Sequence, residues 1–139
     1  MLVRNCAGGL VFCGDKVFLL KNEKGEWVFP KGVIRNGDLS SEVAVRRVKE
    51  EAGISAEIIS TAGHTSYEFF SVTRQKPVCN KITWFIMKSH NDEYKVNKEE
   101  NFTDGGYFDI EEAMRLLTHS QDRALLNLSY KSFRELITA

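Results

Sequence analysis

Glu50 and Glu51 stand side by side at the end of a run, Val43 to Ala52, that contains no helix breaker, and Arg46 and Arg47 precede them by one helical turn. At that spacing Arg46 meets Glu50, and Arg47 meets Glu51, as i,i+4 neighbours. Upstream, Pro30, Gly32 and the pair Asn36-Gly37 spell a loop. Ser40 or Ser41 then serves as the helix cap and Gly53 as its stop. Adjacent carboxylates facing a glycine loop suit a hard divalent cation, because Mg2+ takes a few carboxylate oxygens and completes its shell with water and substrate phosphate. A solvated helix tail with surface ion pairs is the plain alternative for the same charges.

Spacing separates the two. The stretch from Gly32 to Ile54 resembles the Nudix box, the loop-helix signature of the Nudix hydrolases, written G-x5-E-x7-R-E-U-x-E-E-x-G-U with U aliphatic. Gly32, Arg46, Val48, Glu50, Glu51, Gly53 and Ile54 fall on it in register. Two positions depart. Asp38 stands where the family has its first Glu and keeps a carboxylate on a shorter stem. Arg47 stands where the family has the Glu of the Arg-Glu pair, which binds metal or helps activate water. A guanidinium cannot be deprotonated and opposes a cation there.

The resemblance implies Mg2+, with Mn2+ as a substitute, held by the Gly32 carbonyl, Glu50 and Glu51, and oriented carboxylates through Arg46. The approach from Trp27 through Phe29-Pro30-Lys31-Gly32 is similar to that of members that hydrolyse diadenosine polyphosphates, and of relatives that act on inositol pyrophosphates or trim RNA 5' ends. Lys31 would then lie beside the phosphate path. Lys81 to Ile86 loosely resembles a K-x-V-x-Y-F-L strand whose Lys contacts phosphate. Tyr67 occupies a strand where members often carry an aromatic near the base, so it would stack on adenine or pack in the core. Tyr107 to Ala113 fits a W-U-x-x-E-E-A pattern with Tyr for Trp. Upstream of it, Glu100 is the first choice and Glu99 the second for a further carboxylate that binds metal or activates water.

The elements that must position these residues read as follows. Alternation and β-branched or aromatic content predict strands over residues 2–13, 16–20, 54–59, 65–72 and 81–87, the first two joined at Gly14-Asp15. Ala7-Gly8-Gly9 within the first strand marks a close approach of another backbone or a ligand. Residues 89–106 are polar and read as a long loop. Asp109 caps a short helix, and Gln121 to Ile137 form a longer one with Leu125, Leu126, Leu128, Phe133, Leu136 and Ile137 as core candidates. The resemblance implies an α/β class, the Nudix fold, a mixed sheet sandwiched between helices.

The 139 residues fit one domain, 1–139, with enough chain for a core. Lys plus Arg and Asp plus Glu both number 19, and the absence of a basic excess argues against long nucleic acid as a partner. Cys6, Cys13 and Cys79 form no C-x-x-C and read as buried reduced thiols. His64, His90 and His119 have no ligand spacing, so zinc is unsupported. No apolar run approaches the ~18 residues of a membrane helix and no signal peptide is visible, so the expected location is cytoplasmic. Monomer and homodimer both stay open.

The function implied by the resemblance is Mg-assisted attack of water on a nucleoside diphosphate linked to another moiety, with a diadenosine polyphosphate as the best choice. Arg47 gives this an alternative, a catalytically weak or inactive nucleotide-binding domain acting as a sensor. A protein-interaction domain that uses only the fold is a third reading. In the first case Glu100 activates the water and Arg47 turns towards Glu51 or onto substrate phosphate.

Overall fold

A computed structural model describes residues 1–138. Its spine is β1 (Leu2–Cys13), which runs parallel to β6 (Lys76–Lys88) from Leu2 opposite Val78 to Phe12 opposite Lys88. Along its other edge β1 pairs antiparallel with β4 (Lys31–Val33) and then with β2 (Lys16–Asn22). β5 (Glu57–Ser71) pairs antiparallel with β6, while β3 (Trp27–Val28) and β7 (Phe102–Asp109) both pair with β2. The result is a mixed sheet.

Successive residues of β1 feed opposite layers, as a strand period of two requires. Ala7 and Val11 pack beneath α1 (Ser40–Ala52), against Val43, Ala44, Val48 and Ala52. Cys6, Leu10 and Phe12 face α2 (Ile110–Leu116) and α3 (Ser120–Thr138), against Ala113, Leu125, Leu126 and Phe133. A strand covered on both faces reads as a continuous apolar run, which is the form of residues 6–12. Helices on both sides of a mixed sheet are the expected α/β sandwich. Fully burying a side chain such as Val48 contributes roughly 1.5–3 kcal/mol, so the apolar stripe of α1 outweighs its surface ion pairs as a source of stability.

The close approach expected at Ala7-Gly8-Gly9 is made by the site loop itself. A Cβ at Gly8 would overlap the Pro30 carbonyl and come within 2.5 Å of the Trp84 ring, and the Gly9 N–H donates to that carbonyl at 3.1 Å. The Pro30–Gly32 segment is thereby fixed against the spine.

Four local expectations are corrected. No serine side chain caps α1; the helix already begins at Ser40, and the cap position is Leu39, extended, whose side chain has no acceptor to offer the first turn. The separate strands expected at 54–59 and 65–72 are one strand, β5, whose register shifts between Ile58 and Ser60 and between Thr61 and Gly63. Such bulges interrupt the alternation that a sequence reading follows. The loop expected over 89–106 ends in β7, whose Gly105 and Gly106 carry no strand propensity but complete the edge of β2. On α3 the stripe Leu125, Leu126, Ser129 and Phe133 faces the sheet, leaving Leu128, Leu136 and Ile137 exposed. Gly53 does stop α1, with φ 66° and its N–H on the Lys49 carbonyl, and the Asp109 carboxylate accepts from the Glu112 N–H at 2.9 Å to cap α2.

Candidate active site

The last turn of α1 leaves carbonyls without helical partners, and the chain after β6 returns to satisfy them. Lys95 N–H donates to the Ala52 carbonyl at 2.8 Å, Asn97 N–H to the Glu51 carbonyl at 2.9 Å, and the Asn97 side-chain amide to the Glu50 carbonyl at 2.9 Å. Asn97 also accepts from the Glu99 N–H at 3.0 Å and so opens a 3-10 turn, Lys98–Glu100. Through this docking Glu100 arrives beside the two box carboxylates.

Arg47 stands where the three meet. Its Nη1 donates to Glu50 at 2.8 Å; its Nη2 donates to Glu51 at 2.6 Å and to Glu100 at 3.2 Å; its Nε donates to Glu51 at 3.2 Å. The stem of Arg47 lies across Gly32, where an added Cβ would come 2.5 Å from Cγ, Cδ and Nε alike. Arg46 pairs with Asp38 at 3.2 Å and, more loosely, with Glu50 at 3.8 Å. The i,i+4 pairs read from the sequence are both present.

Glu51 is the buried member, its side chain only 4% exposed. Burial pushes its carboxyl up to about 7, against the pull of Arg47 and Lys31, whose backbone N–H approaches it at 3.4 Å. Burial also works against the charge on Arg47, but Glu51 and Glu100 more than offset this and raise its pKa. The carboxylates and the Gly32 carbonyl are the hard oxygen donors that a Mg2+-sized ion selects, so the donor set fits in kind. In position it is taken: among the described residues no three His, Cys, Asp or Glu side chains converge closely enough to hold a metal, and the Arg47 guanidinium lies between Glu50, Glu51 and Glu100.

The remaining predicted residues divide. Lys31 lines the cleft of about 520 Å³ formed with Gly32, Arg35, Arg46, Arg47, Glu50 and Glu100. Its ammonium lies 5.9 Å from the ring of Tyr67, so it joins the box to an aromatic site on the sheet. Tyr67 is neither free nor core: its hydroxyl accepts from the Asn80 side chain at 2.8 Å, and its ring is nearly parallel to His119, 8° between planes and 6.3 Å between centroids. Lys81 lies elsewhere, lining a second cavity of about 550 Å³ with Asn5, His64, Ser66 and Gln121. Glu100, rather than Glu99, is the carboxylate that reaches Arg47.

Sequence reading missed Arg35, His119 and Asp122. Arg35 lies in the variable part of the box, where no pattern marks it. His119 carried no ligand spacing, and its closeness to Tyr67 exists only across the fold. Asp122, 8% exposed, is a carboxyl pushed up by burial and opposed by the charges of His119, Lys31 and Arg123. A charged residue in the first turn of a helix was its one signal, and helix caps explain such residues as well.

Fold and site together define an α/β sandwich with an acidic loop-helix set against a glycine turn. A sequence model of the NUDIX domain matches residues 2–128, and the chain belongs to the Nudix family. An RNA pyrophosphohydrolase of Vibrio vulnificus is 28% identical over 106 residues, which is 66% of this chain and 60% of that relative's length. The match thus spans less than two thirds of that protein. Among solved structures, an Ap4A hydrolase from C. elegans in a binary complex superposes with a TM-score of 0.74 at 20% identity, covering 95% of this chain and 98% of that one. The E. coli dihydroneopterin triphosphate pyrophosphohydrolase superposes at 0.73 with 18% identity over the whole of both chains. These likenesses establish a shared fold. No helix among the described residues is long and apolar enough to cross a membrane.

Proposed function

We propose that the protein hydrolyses a phosphoric anhydride bond in a small nucleotide, with a diadenosine polyphosphate as the favoured substrate. The observation that carries this is a run of side chains: Tyr67 stacked on His119 at one end, the Lys31 ammonium 5.9 Å from Tyr67, and Glu50 and Glu100 lining the cleft that Lys31 also lines, with Glu51 against the Lys31 backbone. A base stacks on the aromatic pair, Lys31 and Arg35 neutralise phosphate oxygens, and the anhydride reaches the carboxylates. In this reading Glu100, 39% exposed, takes a proton from water, and Glu51, 4% exposed beneath the cleft, serves as a metal ligand. A bound divalent ion would add charge stabilisation at the pyrophosphate and a lower pKa for the attacking water. Gly32, Glu50, Glu51 and Glu100 are the residues that would hold Mg2+ or Mn2+. Arg46, tied to Asp38 and Glu50, positions the helix carboxylates.

The second reading, a nucleotide sensor with little turnover, is favoured by one observation, the guanidinium at the focus of the carboxylates. The deciding assay offers diadenosine polyphosphates, nucleoside triphosphates, ADP-ribose and triphosphorylated RNA with Mg2+ or Mn2+ and follows product release. The hydrolase gives slow cleavage of a diadenosine polyphosphate, abolished by Glu51→Gln and raised or unchanged by Arg47→Glu. Tight nucleotide binding without turnover by either protein makes it a sensor.

A further inference from the structure

We propose that Arg47 is a tethered cation that takes the place of a divalent ion among Glu50, Glu51 and Glu100, so that metal enters the cleft only by displacing it. This rests on reading the cleft as the hydrolytic site. Three features of Arg47 support it.

First, one guanidinium satisfies all three carboxylates at 2.6 to 3.2 Å, which leaves them spread around a planar fork rather than gathered about a point. Second, the fit is built in from below: the absent side chain of Gly32 is the space in which the Arg47 stem lies. Third, the charge is already balanced. Lys31, Arg35, Arg46 and Arg47 line the same cleft as Glu50 and Glu100, with Glu51 buried beneath, so an arriving cation meets no acidic excess. A guanidinium stays protonated throughout the neutral range, and a change of pH does not clear it from the site. Binding of a metal therefore includes breaking the Arg47 contacts, and the affinity for the ion is lowered by that amount.

The test measures Mn2+ binding directly, by the electron paramagnetic resonance of free Mn2+ at about pH 8, above the value of about 7 to which burial pushes Glu51 in wild type. Wild type is compared with Arg47→Gln, Arg47→Glu and Arg47→Lys. The Gln variant is expected to bind about tenfold more tightly than wild type, and the Glu variant more tightly again. Mn2+ should also raise the melting temperature of these variants more than that of wild type, since a ligand stabilises the state that binds it. Removing Arg47 leaves Glu51 buried without its partner; if those two variants do not fold, Arg47→Lys carries the test. Its single ammonium cannot span three carboxylates, and a tightening of about threefold is expected.

Equal Mn2+ affinity in wild type and every folded variant overturns the inference and leaves the hydrolase reading intact. No Mn2+ binding by any of them overturns it as well. The turnover assay decides the hydrolase reading separately: cleavage preserves it, and no cleavage across the panel by wild type or Arg47→Glu removes it, whatever the Mn2+ result.

Discussion

Burial and pairing pull Glu51 in opposite directions, and burial dominates. Its carboxyl titrates near 7 in the folded protein against an ordinary 4.5 in the unfolded chain. The folded state therefore binds the extra proton between those values, and stability falls as pH rises through that window. The expected loss is about 3 kcal/mol, level above about pH 7. Urea unfolding across the window checks this, with Glu51→Gln expected to flatten the slope; wild type and variant with the same slope would assign the effect to another group. The Arg46-Glu50 and Arg47-Glu51 pairs were legible in the sequence because helical spacing is local and any helix over those residues creates them. Glu100 was legible only as one of two neighbouring choices. What selects it is the Asn97 turn, which depends on carbonyls at the end of α1.

Among the elements, β1 carries the constraint that matters to the site. Gly8 lies under the Pro30 carbonyl and the Trp84 ring, both held in place by the sheet. Gly8→Ala is expected to destabilise the protein by about 1–3 kcal/mol and to move the Lys31–Gly32 strand away from Arg47. Thermal melts and a substrate-affinity measurement check the two effects together, and a variant as stable as wild type would mean the loop is not clamped there. The small residues of β1 were visible as a place of close approach, but not what approached. β7 was invisible for a different reason. Its glycines carry no propensity, and a strand that exists to complete another strand's edge is specified by that edge.

At the scale of the molecule, the contacts from Tyr67 and His119 to the box join β5, the residue before α3 and, through Lys31, β4. If the base stacks there, Tyr67→Ala removes a contact worth about 1–3 kcal/mol, raising KM for a nucleotide about tenfold while leaving kcat nearly unchanged. A fall in kcat with KM unaltered would place the base elsewhere. Steady-state kinetics on the preferred substrate of the panel separate the outcomes. By itself the sequence determined the family, the α/β class and the box with its departure at Arg47, because these rest on residue types at fixed short spacings. Where Arg47 points, which distant carboxylate it meets, and which ring faces Tyr67 were decided by the tertiary structure alone. Those contacts join residues that only the packing of two layers on one sheet brings within reach, and no local spacing encodes them.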